Sequence, residues 1–531
     1  MPASTIPYQE TGYFSKTICD YLSEKESIRP FYEAFPSLEA LKKQATIKGN
    51  LFPSENRKVL VERLEDQFKN DTLSEATQTN IKSLLDVNTF TITTGHQLNL
   101  FTGPLYFLYK IFSVINLTEK LNQEDAANHY VPVYWMATED HDFDEINYFN
   151  LYGKKLRWNR TDGGAVGELS TEGLDEVLSV FKSELNGGIQ AERLSHLFSE
   201  AYLKHDNLTD ATRYLGNELF AAYGLVIVDG NDSELKKLFT PYVERELKEQ
   251  ISHKMISETT KQLVEAGYKE QVHPREINLF YLTKGVRERI VQEDNQYLVN
   301  DTDVRFTREE ILNELNTNTE RFSPNALLRP LYQEVILPNL CYIGGGGELA
   351  YWFQLKDYFK EVGVPYPVLL LRNSVLLQTR KLSEKLERLE VEVASLFLDQ
   401  TVLMATYTRQ LSSINIDFSN QKQYLRDQFK DLYSLAKKTD PSFIGAVGAQ
   451  EKKQIKGLEN LERRLLKAEK RRLNDRIERL VYIQDKLFPK QSLQERAVNF
   501  SEFYLEYGDA LLSQLKENLD PLANRFTILT L

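Results

Sequence analysis

Short apolar runs alternate with helix-spaced apolar positions through the middle of the chain, from about residue 88 to 375. The stretches "TFTITTG", "YVPVYWMATED", "YGLVIVDGND" and "YPVLLLRNS" are nearly continuous in apolar, β-branched and aromatic residues. After the first of them, Leu105, Leu108, Phe112, Ile115 and Leu117 recur with helical spacing, which predicts a helix over Pro104–Leu121. Strands that are apolar on both faces, separated by helices, predict a parallel sheet covered on both sides. Such sheets take their ligands at the C-terminal ends of the strands. All four runs end in polar residues there: Thr94-Gly95-His96, Glu139-Asp140-His141-Asp142, Asp229-Gly230-Asn231-Asp232 and Arg372-Asn373.

The alternation is interrupted twice. Residues from about 145 to 220 are polar, with a Gly-rich turn "TDGGAVGEL"; residues 240–335 are mixed, with strand-like "EINLFYLTKG" and "NQYLVND". Both read as insertions into a core spanning residues 1–375. From about 376 the pattern changes. Leu382, Leu386, Leu389, Val393 and Leu396 are spaced by 4, 3, 4 and 3, the seam of a coiled coil. A second seam runs from Glu451 to Lys486, through Leu458, Leu461, Leu465, Ala468, Leu473, Ile477, Leu480 and Ile483. The connection "KKTDPSFIGAVGAQ" can turn the chain, so the two seams are expected to pair antiparallel as a hairpin arm over residues 376–487. Residues 488–531 are helical and aromatic and are expected to pack back on the core.

Composition narrows the function. The 531 residues carry a formal net charge of −12, which argues against a general nucleic-acid binder, since phosphate neutralisation needs a concentrated basic surface. The second seam is locally basic, with 12 Lys/Arg against 7 Asp/Glu, a difference of +5; it reads either as a ligand surface or as the solvated face of a long helix. The two cysteines, Cys19 and Cys341, match no metal-ligand spacing, and Cys341 in "LCYIGGGG" reads as a buried strand residue. The start "MPASTIPYQETGYF" has no secretory pattern, and no apolar run nears the roughly 20 residues of a membrane helix. A reduced, cytoplasmic protein is expected.

Three motifs could carry chemistry. In "TTGHQLNLFTGPLYFLYK", Gly95 lets the chain bend at a strand end, and Gly103-Pro104 open a helix whose N-terminus would attract an anion. His96, Gln97, Asn99 and Thr102 then form the lip of a site, with His96 positioned to stabilise developing charge; alternatively they only bond the loop. In "ATEDHDFDEIN", five carboxylates and one histidine fall within Glu139–Glu145, which suits either a metal or an ammonium and sugar hydroxyls. Consecutive side chains on a strand diverge, so at most two or three could converge. In "CYIGGGGELAYWFQLK", Gly345, Gly346 and Gly347 lie between a strand and a helix, with Glu348 and Tyr351 following. This is neither a dinucleotide fingerprint nor a P-loop, and Glu348 favours an amine-bearing substrate. No G-x-S-x-G elbow, H-E-x-x-H or Cys–His signature is present.

Taken together, "TTGHQLNLFTGPLYFLYKIFSVINL", "VPVYWMATEDHDFDEIN", "GGGGELAYW" and "LQERAVNF" closely resemble the bacillithiol-biosynthesis family BshC, over essentially the whole chain. The family's first turn usually reads TGQQ; here it is Thr94-Gly95-His96-Gln97. The resemblance implies an α/β, Rossmann-like core similar to nucleotidyltransferases and class I aminoacyl-tRNA synthetases, with connecting insertions and a coiled-coil arm that joins a homodimer. It implies a ligase that adds L-cysteine to the amine of glucosaminyl-malate, with a nucleotide such as ATP or ADP expected for activation. On that reading His96, Asp140 and His141 are the catalytic candidates. Gly95, Gln97, Asn99, Thr102, Gly103, Glu139, Gly345, Gly346, Gly347, Glu348, Tyr351 and Arg372 are the substrate-binding candidates, and no metal is expected. The mobile lysine loop of synthetase-like enzymes has its nearest counterpart in "KLSEK" (Lys381–Lys385), which reads as helix within the seam. Competing readings are a non-catalytic nucleotide- or thiol-binding subunit of the same pathway and a metal-dependent hydrolase built on the acidic run.

Overall fold

The computed structural model describes residues 3–160 and 163–531; residues 161 and 162, which open the "TDGGAVGEL" turn, lie outside the described residues. The chain divides into two compact units, residues 1–377 with 494–529 and 531, and residues 378–493 with 530.

The first unit is built on a five-stranded sheet. Its strands are β1 (Thr89–His96), β2 (His129–Met136), β3 (Val226–Asp229), β4 (Asn339–Gly344) and β5 (Val368–Leu371). Every adjacent pair is parallel, and the spatial order is β5-β4-β1-β2-β3. All eight residues of β1 are buried, as both-face coverage requires. The chain steps outward from β1 to β3, then returns to the other side of β1 to lay down β4 and β5. This is the doubly wound order with its switch point between β1 and β4, the place where such sheets leave a crevice. Helix α1 (Tyr106–Glu124) follows β1 and covers the sheet through Val114, Leu117 and Leu121, which pack with Phe90, Ile92, Leu340, Ile343 and Leu370. Cys341 is fully buried in β4.

Three further helices position the site: α2 (Ser233–Glu249) after β3, α3 (Arg329–Ile336) before β4, and α4 (Gly346–Trp352) after it. The first insertion is a short hairpin, Tyr148–Leu151 with Lys154–Arg157, followed by helices Leu174–Glu184, Ile189–Leu203 and Leu208–Phe220. The second holds an antiparallel sheet whose order is Arg305–Phe306, Gln296–Val299, Val286–Glu293, Leu279–Thr283 and Phe322–Pro324. Both strand-like runs read from its sequence are strands.

The second unit is helical. Its hairpin is formed by α5 (Ser419–Ala436) and α6 (Pro441–Arg472), which pack Phe429 and Ala436 against Val447, with Lys422 paired to Glu462 at 2.7 Å. The basic seam breaks at Leu473 into α6 and a helix Asn474–Leu487. The partner of α6 is α5 and not the Leu382–Leu396 seam, whose first helix packs instead on Asn474–Leu487, with Lys385 Nζ 5.5 Å from the centre of the Tyr482 ring. The helix that carries Leu382, Leu386 and Leu389 spans only Arg380–Leu389, because Glu390 takes a left-handed conformation (φ 57°) and turns the chain. The "KLSEK" segment is helix, as expected. Among the described residues no helix is long and apolar enough to cross a membrane.

Candidate functional site

A cavity of about 690 Å³ opens at the C-terminal ends of β1 and β2, beside the switch point. The end of β1 gives it Gly95 and His96, and Gln97 follows; the segment after β2 gives Glu139, Asp140 and His141; β4 and α4 give Tyr342, Glu348 and Tyr351. Strand-end geometry thus brings together parts of all three motifs.

Gly95 is required by close approach. A Cβ there would lie 3.1 Å from the Tyr342 hydroxyl and 3.9 Å from Arg329 Nη1. Its carbonyl accepts from Lys110 Nζ at 2.6 Å, and the same ammonium pairs with Glu348 Oε1 at 2.7 Å. Glu348 Oε2 accepts from the Tyr342 hydroxyl (2.7 Å), and Oε1 from the Gly345 N–H (3.1 Å). Burial pushes the Glu348 carboxyl up, but Lys110 and these donors outweigh it and hold it below its ordinary value. Glu348 is therefore an ionised keystone joining α1, β4 and α4.

His96 is 6% exposed and packs against the rings of Tyr106 and Phe107. Burial, reinforced by the nearby charges of Lys110 and Arg372, holds its pKa well below the usual value, so the ring is neutral. Its Nε2 is buried with no hydrogen-bond partner. The imidazole is a neutral wall element, shut off from bulk water.

The acidic run disperses. Glu139 pairs with Lys236 of α2 at 2.6 Å; Asp142 accepts from the Glu145 N–H; Asp144 pairs with Arg157. Asp140 is different: its Oδ2 accepts from Gln97 Nε2 at 2.7 Å and its Oδ1 from the His141 N–H at 2.7 Å. Gln97 also donates to Glu145. Among the described residues no three His, Cys, Asp or Glu side chains form a group that could hold a metal ion.

His141 reaches the insertion sheet. Arg287 Nη1 lies 2.8 Å from His141 Nδ1, and a guanidinium only donates, so Nδ1 accepts and the ring proton is on Nε2. Arg287 is itself fixed by Ser323 and the Pro324 carbonyl, with its guanidinium 4.1 Å from the centre of the Phe280 ring.

Several expected members lie elsewhere. Asn99, Thr102 and Gly103 do not line the cavity. They form a tight turn in which Gly103 adopts φ 62°, where a Cβ would sit 2.6 Å from that of Asn99. Asn499 from the tail donates to the Phe101 and Gly103 carbonyls. The helix start expected to be free is engaged: the Leu105 N–H donates to the Val498 carbonyl at 2.8 Å. Gly345, Gly346 and Gly347 lie outside the lining too. Gly346 faces Ile18 and the Gly345 N–H is spent on Glu348. One N–H of each turn, that of Leu105 and that of Gly345, is thus already engaged within the protein. Arg372, expected to bind substrate, instead makes a buried bidentate pair with Glu495, at 2.8 and 3.1 Å.

The sequence reading missed Lys110, Arg287 and Arg329, all buried or nearly so at the cavity, and the buried Lys236 that pairs with Glu139 of its wall. The signal for Lys110 was present: a lysine set among apolar and aromatic neighbours in α1, one turn from its start.

Two family models match the chain. Bacillithiol biosynthesis BshC, N-terminal Rossmann-like domain, covers residues 1–373, and the BshC C-terminal coiled-coil domain covers residues 375–531. A Christiangramia forsetii protein named "Putative cysteine ligase BshC" is 56% identical across 100% of this chain and 99% of its own length. Proteins of the same name from Flavobacterium johnsoniae and Bacillus cereus are 54% and 29% identical, covering 100% and 94% of this chain, and 100% and 95% of their own lengths.

Proposed function

Because the chain belongs to the bacillithiol biosynthesis BshC family, we propose that it is a cytoplasmic ligase joining L-cysteine to glucosaminyl-malate through an amide on the glucosamine nitrogen. The observation that carries this reading is Asp140, a carboxylate held by Gln97 and the His141 N–H at the wall of a switch-point cavity.

An amide requires a neutral amine and an electrophilic acyl carbon. The Asp140 carboxylate binds the sugar ammonium and takes its proton. The freed nitrogen lone pair forms the C–N bond to the carbonyl carbon of an activated cysteinyl group, whose leaving group departs with the bonding electrons while the nitrogen sheds its second proton to solvent. His141, with its proton on Nε2 and its Nδ1 held by Arg287, is a neutral donor for the carbonyl oxygen as charge develops there. Gly95 keeps the wall thin, and the neutral His96 ring adds no positive charge that would repel the ammonium. The scattering of the acidic run disfavours the metal-dependent hydrolase.

The test is the reaction itself. Purified protein with cysteine, glucosaminyl-malate and a panel of nucleotides is expected to yield a thiol product with the mass of the amide. A deletion strain is expected to accumulate glucosaminyl-malate and lack the thiol. Unchanged levels of both in that strain would sink the ligase reading. Precursor accumulation in the strain, with no product in vitro under any nucleotide, would favour the non-catalytic subunit.

We also propose that the arm joins two copies of the chain. Tyr424, Leu435, Phe443 and Leu461 are exposed on α5 and α6, a supply of apolar surface that a partner helix pair would cover. Sedimentation at micromolar concentration is expected to give a dimer, and a monomer would reject the pairing.

A further inference from the structure

Part of the cavity wall comes from the second insertion, and it is cationic. Alternate residues of one segment, His273, Arg275, Ile277 and Leu279, line the cavity. On the neighbouring strand Val286–Glu293, Arg287 and Arg289 are two residues apart, which places them on one face. Both line the cavity. Arg287 is committed to His141, Ser323 and Pro324. Arg275 and Arg289 are not: neither guanidinium has a hydrogen bond or ion pair among the described residues. The same two residues also line an adjoining groove of about 320 Å³.

No carboxylate of the cavity neutralises this pair. Glu139 is paired with Lys236, Glu348 with Lys110, and Asp140 is held by Gln97 and the His141 N–H. His273 is paired with Glu270, and the carboxylate in the adjoining groove is Glu276. The cavity wall therefore combines two chemically distinct parts, a carboxylate after β2 and two uncommitted guanidiniums on the insertion.

We propose that Arg275 and Arg289 form a carboxylate-binding subsite that receives the dicarboxylate end of the aminosugar substrate and so delivers its amine to Asp140. This rests on the ligase reading and assigns the residues that give it orientation. Planar guanidinium forks match carboxylates bidentately, and two unpaired forks suit a ligand with two carboxylates. Phosphate would offer the same anionic oxygens, so the test carries both.

Isothermal titration of full-length wild type and the R275Q/R289Q double variant uses three probes: glucosaminyl-malate, glucosamine and ADP. The double variant is expected to bind glucosaminyl-malate about ten- to a hundredfold more weakly, with glucosamine and ADP unchanged, as loss of charged hydrogen bonds requires. The R275K/R289K pair, which keeps charge but not the fork, is expected to fall between them. Equal glucosaminyl-malate affinity in R275Q/R289Q and wild type overturns the subsite and leaves the ligase reading standing. Weakened ADP with unchanged glucosaminyl-malate overturns the carboxylate assignment in favour of phosphate. Absence of glucosaminyl-malate binding to wild type overturns the ligase reading and this proposal with it. An unchanged melting temperature in both variants separates a lost contact from a lost fold, and a collapse of it in R275K/R289K as well would make the pair structural and overturn the proposal.

Discussion

Asp140→Asn is expected to lower kcat/KM for amide formation by about 10²- to 10⁴-fold, the range typical of losing a positioned general base. The substitution is nearly isosteric. An asparagine oxygen can still accept from the His141 N–H, as Asp140 Oδ1 does at 2.7 Å, so the loop after β2 keeps its shape. What disappears is the charge that binds the ammonium and the basicity that takes its proton. Glu139 cannot substitute, because its carboxylate is committed to Lys236 at 2.6 Å. A variant that folds normally and stays within tenfold of wild type would remove Asp140 from the mechanism. His96→Gln is the matched contrast, since glutamine keeps a hydrogen-bonding group on the same wall; its activity is expected to stay within about tenfold of wild type, well short of the loss of a positioned base. The two variants also differ in pH response. The His96 pKa is depressed in the folded state, chiefly by burial, so only the unfolded chain takes up its proton near the ordinary value of 6.5. The stability His96 contributes is complete above pH 6.5 and is lost as pH falls below it. His96→Gln is therefore expected to lose less stability than wild type between pH 7 and 5, read as the shift in urea midpoint.

The strands were legible because a parallel sheet covered on both faces writes itself as uninterrupted apolar runs. Their polar ends, Gly95-His96 and Glu139-Asp140-His141, were legible for the same reason: a polar cluster after such a run has a fixed address. Strand order was not, since nothing local to "LCYIGGGG" says that β4 lies against β1. The buried cations were hidden by a different mechanism. A lone lysine on a helix ordinarily faces water. Lys110 goes inward only because Glu348 and the Gly95 carbonyl, supplied by distant segments, meet its ammonium. Arg275 and Arg289 were invisible for the complementary reason that no partner in the sequence marks them. In the arm, heptad spacing found the basic seam but ran it through a break at Leu473 and mispaired its first half. Leu382–Leu396 carries the right period, yet the left-handed turn at Glu390 ends its helix, and α5, with a looser apolar pattern, takes the place beside α6. The glycines of "GGGG" were read as ligand-facing; Gly346 instead makes room for Ile18, where a Cβ would lie 3.2 Å from Cγ1.

Glu495→Ala is expected to destabilise the protein by about 3–5 kcal/mol, the cost of leaving one member of a buried ion pair without its partner. Arg372 and Glu495 have side chains 5% and 1% exposed. Burial works against the charge of Arg372, and Glu495 more than offsets it, holding the guanidinium above its ordinary pKa. Glu495 also accepts from the Val375 N–H and the Ser374 hydroxyl, so its removal strands three donors at once. Replacing both partners by apolar residues of similar size, Arg372→Met with Glu495→Leu, is expected to recover much of the loss, because no charge is then buried alone. The same substitution should reach the site. The Arg372 guanidinium lies 4.9 Å from the centre of the Tyr106 ring, and Tyr106 lines the cavity beside His96. Glu495 lies in a short helix, Gln494–Ala497, and two positions after it ends Asn499 holds the Gly103 turn through its carbonyl at 2.6 Å. Loss of Glu495 thus frees both the ring and the turn that shape one wall. Below its melting temperature the Glu495→Ala protein is expected to show a raised KM with kcat less affected, because the reacting groups on β2 are untouched. Denaturant unfolding and steady-state kinetics on the single and double variants check both statements. A Glu495→Ala variant within about 1 kcal/mol of wild type would show that the pair adds little beyond packing, the tail then being held by its other contacts, among them the Leu105–Val498 and Asn499–Gly103 hydrogen bonds.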